Sequence, residues 1–245
     1  MKFLAVLYQI FIFLPIFLPV TILTALIVII GSAIGDGNFW GYYPGRIWSR
    51  FVCFLSLCPV KVEGYENLDP NTSYMFVANH QGAYDIFLIY GYLGHNFKWM
   101  MKKGLRTIPI VGKACDSAGH IFVDDSGAKG ILKTIRQAKK VLCNGMSMVV
   151  FPEGSRTLDG KIHRFKKGAF QLAKDVNLPV VPLTIEGPYK VLKRGTFWIY
   201  PHKLTLKIHK PIPLNLENDS AEEVERLKNE AFKVISSSLT QSVEK

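Results

Sequence analysis

Thirty-two residues from Phe3 to Ile34 pass without a single charge, and Leu, Ile, Val and Phe fill most of them. This exceeds the roughly 18–20 apolar residues that mark a membrane-embedded helix. A secretory leader fits less well, because its apolar core is usually about 7–15 residues long. Pro15 and Pro19 each remove a helix hydrogen bond. The run therefore predicts either one long kinked span or two short helices that dip into one leaflet and return. Ile47 to Val60 then carries Trp48, Phe51, Phe54 and Leu55 with Arg50 interleaved, and Trp40, Tyr42 and Tyr43 precede it. Aromatics of this kind favour the headgroup level and predict an interfacial helix. A helix packed on the core is the alternative. The pattern divides the chain into a membrane-embedded and interfacial region, 1–58, and a globular domain, 59–245.

Within the globular part, short apolar runs predict strands near 60–63, 74–78, 96–100, 119–123, 147–151, 180–185, 196–200 and 203–209, with helices between most of the earlier ones. Leu204, Leu206 and Ile208 alternate with Lys203, Thr205 and Lys207, as a half-buried strand does. The clearest helix is Ala128 to Cys143, with Ile131, Leu132, Ile135, Ala138, Val141 and Leu142 on one face and lysines and Arg136 over much of the rest. The tail opens with Ser220 and Glu223 as a capping box and predicts a surface helix. Together these elements predict an α/β sandwich of one domain.

Charge narrows the environment. Thirty Lys and Arg against 19 Asp and Glu give +11, which suits an anionic membrane surface and attracts acidic or phosphate-bearing substrates. Nucleic acid is not expected, because the basic residues are spread out and form no docking motif. The four cysteines show no Cys-x2-Cys spacing and are expected to be thiols in a reducing compartment. The histidines show no metal-ligand spacing, so neither metal nor cofactor is expected.

Two polar islands carry the candidate chemistry. Asn79-His80-Gln81-Gly82-Ala83-Tyr84-Asp85 follows the strand 74–78, and Phe151-Pro152-Glu153-Gly154-Ser155-Arg156-Thr157 follows the strand 147–151. In α/β proteins, strand ends are where ligands bind. His80 and Asp85 stand about 140° apart on an ideal helix and could not meet there. They meet only if His80 lies on the turn leaving the strand and Asp85 in the first turn of the next helix. A carboxylate on one imidazole nitrogen then frees the other to take a proton. The bland reading leaves Asp85 merely complementing a helix N-terminus. The second island offers a guanidinium, two hydroxyls and several N–H groups, a cradle suited to phosphate. His163, close by in sequence, reads as a surface residue or a helper in anion binding.

Asn79-His80-x4-Asp85 and Phe151 to Thr157 resemble the first and third sequence blocks of the glycerolipid acyltransferases, specifically 1-acylglycerol-3-phosphate (lysophosphatidic acid) acyltransferase. Gly119 to Asp124 and Leu178 to Leu183 resemble the weaker second and fourth blocks, so the likeness runs from about Val60 to Pro213. It implies an α/β fold with a mixed sheet flanked by helices. It also implies an enzyme on the cytoplasmic side of a membrane, with His80 and Asp85 as general base and orienting acid. Lys102, Glu153, Gly154, Ser155, Arg156 and Thr157 would bind the lysophospholipid acceptor, and acyl-CoA or acyl carrier protein would donate the acyl group. The family usually carries an arginine where this chain has Asp125, which leaves another lysolipid headgroup open. A membrane-anchored lipid hydrolase and a non-enzymatic lipid-binding protein stand as competing readings. Ser155, however, lacks the Gly-x-Ser-x-Gly elbow of a serine hydrolase.

Overall fold

A computed structural model describes residues 2–124, 126–215 and 217–239. Asp125, whose acidic character raised the headgroup question, lies outside the described residues. Helix α1 runs without a break through Lys2–Tyr8, a wide π-type turn at Gln9–Phe13, and Leu14–Ile34. Of the two arrangements expected for the apolar run, the returning pair is absent among the described residues. Pro15 would clash with the carbonyl four residues back, at Phe11, and the widened turn falls on that residue.

The domain is built on a seven-stranded sheet. Its strands are β1 (Val60–Glu63), β2 (Met75–Ala78), β3 (Phe97–Lys102), β4 (Ile121–Val123), β5 (Ser147–Val150), β6 (Val180–Glu186) and β7 (Leu204–Ile208). They lie in the order β1-β7-β6-β2-β5-β3-β4, all neighbours parallel except β6 and β7. Central strands covered on both faces read as continuous apolar runs, and every residue of β2 is buried. Phe76, Ala78, Val149 and Leu183 face one layer, with α2 (Tyr43–Leu55) and α3 (Tyr84–Tyr92). Met75, Val77, Met148 and Val150 face the other, with α4 (Ala128–Cys143), α5 (Gly168–Asp175) and α6 (Ser220–Ser238).

Three expectations need correction. Residues 196–200 form no strand, because the Ile199 N–H and C=O are both taken by the Gln9 side-chain amide of α1, at 3.0 and 2.8 Å. In α4, Ile131 and Leu132 are exposed while Thr134, Ala138 and Leu142 are buried. The hydroxyl of Thr134 accepts from the Asp124 N–H and donates to the Gly130 carbonyl, which draws a polar residue inward. Helix α6 lies at the surface as expected, with Val224, Leu227, Ala231 and Ile235 buried at helical spacing and Glu222, Asn229, Glu230 and Lys233 exposed; its capping residue differs. Its cap is Asp219, which accepts from the Ala221 and Glu222 N–H groups, one residue before the expected Ser220.

Helix α1 docks along the domain through one stripe. Tyr8 donates to the Leu55 carbonyl, Phe13 is buried, Phe17 packs on Trp48, and Trp48 donates to Thr21 Oγ at 2.9 Å. Ala25 and Val28 then meet Ala114 and Ala118. From Gln9 to Val28 this is about 29 Å of helix at ~1.5 Å per residue. The rest of its surface, including Leu4, Phe11, Leu18, Leu23 and Ile30, is exposed and apolar. By length and composition Leu4–Ile34 could cross a membrane, and α2 likewise exposes Ile47 and Phe54 while burying Val52, Cys53 and Leu55.

At the start of β4, His120 is buried, and its Nδ1 accepts from the Trp99 N–H at 3.3 Å. Burial, helped by the Lys98 ammonium, pushes its imidazole from 6.5 down to about 3. Between those values the unfolded chain binds a proton that the folded chain does not. The stabilisation is therefore complete above pH 6.5 and is lost as pH falls toward 3, at about 1.4 kcal/mol per pH unit. His120→Gln should flatten the acid limb of urea-measured stability by about one proton; an unchanged slope would assign that limb to other groups.

Candidate active site

β2 and β5 are parallel neighbours, with Val77 beside Val150, so the two polar islands leave the sheet side by side at its C-terminal edge. Asn79 fixes the first exit: its side-chain amide donates to the Ile185 carbonyl at 2.9 Å and accepts the Ile185 N–H at 2.8 Å, clamping the chain to β6. Gly82 then passes close to the Pro188 and Leu192 carbonyls, where a Cβ would sit 3.1–3.2 Å from oxygen. The bend delivers Asp85 into the first turn of α3.

There Asp85 Oδ2 lies 2.6 Å from His80 Nδ1 and also accepts the Gly82 N–H at 2.9 Å. Asp85 is fully buried. Burial pushes its carboxyl upward, and the His80 ring and the backbone N–H groups of Gly82 and Gln81 pull it back. The His80 ring stacks on Phe151, centroids 3.9 Å apart and planes 8° from parallel, and Phe151 stacks on Trp99. Nδ1 and one ring face are thus fixed. Nε2 makes no hydrogen bond among the described residues, and the side chain stays partly open to solvent.

The second island is tied to the first through its backbone. Buried Glu153 accepts the His80 N–H on Oε1 at 2.7 Å and the His163 N–H on Oε2 at 2.9 Å. Burial raises its carboxyl, and those two N–H groups oppose the shift. The Thr157 N–H donates to the His80 carbonyl at 2.9 Å, and its hydroxyl donates to Asp159 and accepts the Gly160 N–H. Glu153 and Thr157, expected among the binding groups, are here engaged in bracing the two turns.

Gly154 has φ +79°, a left-handed angle that favours glycine, and a Cβ there would come 2.8 Å from Lys166 Nζ. Lys166 thus brings a cation over the turn, a group not singled out from sequence. Ser155 is exposed and Arg156 half-buried. The Arg156 carbonyl accepts from Arg194 at 2.9 Å, while its guanidinium has no partner among the described residues. Lys102 ends β3 at the same edge of the sheet and is exposed; its neighbour Lys103 pairs with Asp124 at 3.0 Å. The His163 side chain is exposed, with Nε2 3.3 Å from Thr157 Oγ.

An Acyltransferase family model matches residues 59–186, the segment holding both turns. The chain belongs to the acyltransferase family. Among curated members, a chloroplastic 1-acyl-sn-glycerol-3-phosphate acyltransferase of Arabidopsis thaliana is 32% identical over 173 residues, 70% of this chain and 48% of that protein. A 1-acyl-sn-glycerol-3-phosphate acyltransferase of Helicobacter pylori is 34% identical over 155 residues, 63% of this chain and 65% of its own. The matched part spans about half the length of the plant relative. The fold matches the crystal structure of the 1-acyl-sn-glycerophosphate acyltransferase PlsC from Thermotoga maritima. The TM-score is 0.78 at 29% identity, over 96% of this chain and 93% of that one. The mixed α/β sheet flanked by helices is therefore the acyltransferase fold.

If Glu153 is a brace, Glu153→Ala should leave two backbone N–H groups without acceptors and cost about 2–6 kcal/mol, at ~1–3 for each buried donor. Glu153→Gln, retaining one carbonyl oxygen, should lose less. Thermal denaturation measures both; unchanged melting with a raised KM would instead place Glu153 on the substrate.

Proposed function

We propose that this acyltransferase moves an acyl group from acyl-CoA or acyl carrier protein to the free hydroxyl of 1-acylglycerol-3-phosphate, forming phosphatidic acid. The observation that carries this reading is the His80–Asp85 contact of 2.6 Å, with Nε2 open beside a turn that holds Arg156 and Lys166. The names of the relatives support the same acceptor.

In this mechanism Nε2 of His80 takes the hydroxyl proton as the acceptor oxygen attacks the thioester carbonyl. Asp85 holds Nδ1–H and stabilises the imidazolium. The tetrahedral intermediate collapses with loss of the thiolate, which receives the proton from Nε2, and the base returns to its starting state. No acyl-enzyme forms. Arg156 binds the acceptor phosphate, with Lys166 and Lys102 as further cations; Ser155 and the Gly154 backbone line the same turn. A charge of +11 draws in the phosphate-bearing donor.

We further infer that α1 lies in the membrane surface rather than crossing it. A helix docked along about 29 Å of its own domain could cross ~30 Å of hydrocarbon only by taking that domain with it. Lying flat, its exposed apolar side enters one leaflet, on the cytoplasmic face, and the active-site edge meets the acceptor there.

Purified protein given acyl-CoA and a panel of lysolipids should form diacyl product with 1-acylglycerol-3-phosphate; release of free fatty acid would instead indicate a hydrolase, and neither product a non-enzymatic lipid binder. His80→Ala should lower kcat by about 10²–10⁴-fold with its melting temperature kept, and retained activity rejects the base. Loss of a charge-assisted hydrogen bond should make Arg156→Ala raise the acceptor KM by about 10–100-fold; an effect on the donor alone rejects that role.

A further inference from the structure

The segment Gly187 to Tyr200 touches both polar turns and helix α1. Its Pro188 and Leu192 carbonyls back the Gly82 bend. Its Tyr189 hydroxyl donates to the Leu158 carbonyl at 3.1 Å, and its Arg194 to the Arg156 carbonyl at 2.9 Å. Further on, Ile199 is held by the amide of Gln9 on α1, 190 positions away in sequence. The tip between these anchors is a turn closed by the Thr196 N–H and hydroxyl on the Lys193 carbonyl, with Gly195 at φ +84°.

The tip exposes what a water-facing loop seldom does: Phe197 is 89% and Trp198 42% exposed. Around the same end of α1 stand Leu4 and Phe11, and Phe54 and Leu57 beside Leu55, whose carbonyl accepts from Tyr8; all four are exposed. Lys190, Lys193, Arg194 and Lys203 flank the tip, and no acidic residue occurs from Gly187 to Leu216. Aromatics with a basic rim, continuous with an apolar helix face, match the headgroup layer of an anionic bilayer.

We propose that the loop Lys193–Tyr200 is a second membrane-docking element, seating Phe197 and Trp198 in the headgroup layer of an anionic bilayer next to α1. Through Arg194 on the Arg156 carbonyl, and through the preceding Pro188 and Leu192 that back Gly82, it sets the catalytic turns at a fixed height above the lipid. The proposal rests on α1 lying in that surface.

Single cysteines at Phe197, Phe11 and Lys129, each in a Cys115→Ser/Cys143→Ser background, would carry a polarity-sensitive fluorophore. The full chain would be reconstituted into phosphatidylcholine–phosphatidylglycerol vesicles with headgroup-borne quencher. Labels at 197 and 11 should be quenched and the label at 129 should not. Quenching at 11 without quenching at 197 overturns the loop's role and leaves the seating of α1 intact; quenching at neither overturns both. Phe197→Ser/Trp198→Ser should lose about tenfold in turnover of vesicle-borne acceptor and stay within about twofold on a short-chain acceptor in solution. Equal loss on both acceptors, or loss on neither, overturns the proposal.

Discussion

A single buried carboxylate joins the two halves of this site. Glu153 comes from the turn after β5, yet one oxygen receives the N–H of His80, on the turn after β2. The second oxygen receives the N–H of His163, at the far end of its own loop. The Thr157 N–H closes the same junction from the other side, on the His80 carbonyl. Each bond is to backbone, so the junction sets where the chain runs and leaves the His80 ring, Arg156 and Lys166 free for chemistry. Removal of either turn would take from the other the partners that hold its backbone, and the His80 ring would no longer be held beside Arg156 and Lys166.

The pinning of His80 is equally complete. Asp85 holds Nδ1, Phe151 covers a ring face, and Trp99 supports Phe151. An imidazole held this way has little rotamer freedom left, which, for the base proposed above, lowers the entropy lost on reaching the transition state. The cost lies in burying Asp85 fully, a charge that burial alone would neutralise. The imidazole and the Gly82 N–H are what make that position tenable.

Much of this could be read from the chain. Seven of the eight expected strands formed, because buried parallel strands leave apolar runs that survive as local patterns. The bend needed for a His-x4-Asp meeting followed from helix geometry alone. What escaped notice were contacts between residues distant in sequence that have no fixed spacing: Glu153 with the His80 backbone, Arg194 with Arg156, Gln9 with Ile199. The run Thr196 to Tyr200 has strand composition, but strand propensity reflects packing on a pleated surface, and here a side-chain amide occupies the backbone groups a neighbouring strand would need. One signal was available. A glutamine within 32 uncharged residues must find a partner if it is buried in an apolar setting, and Gln9 found one in the loop.

The helix and the site are therefore not separate modules joined by a linker. Among the polar and small residues of α1, Gln9, Thr21, Ala25 and Gly31 lie toward the protein: Gln9 on Ile199, Thr21 on Trp48, Ala25 near Ala114 and Ala118, and Gly31 so close to Trp40 that a Cβ there would lie 2.4 Å from its ring. Many of its bulky apolar residues, among them Leu4, Phe11, Leu18, Leu23 and Ile30, lie outward. The Gln9 amide and the Thr21 hydroxyl of this helix thus find partners on the domain, as a lipid setting demands of any amide it surrounds. The same contacts fix the distance from α1 to His80, since Ile199, Val191 and Leu192 connect α1 to the Gly82 bend within a dozen residues. The proposed direct transfer between a lipid-held acceptor and a soluble thioester requires both at one nitrogen at once. In the mechanism proposed above, a His80 base rigidly linked to α1 meets that requirement without a covalent intermediate to store the acyl group.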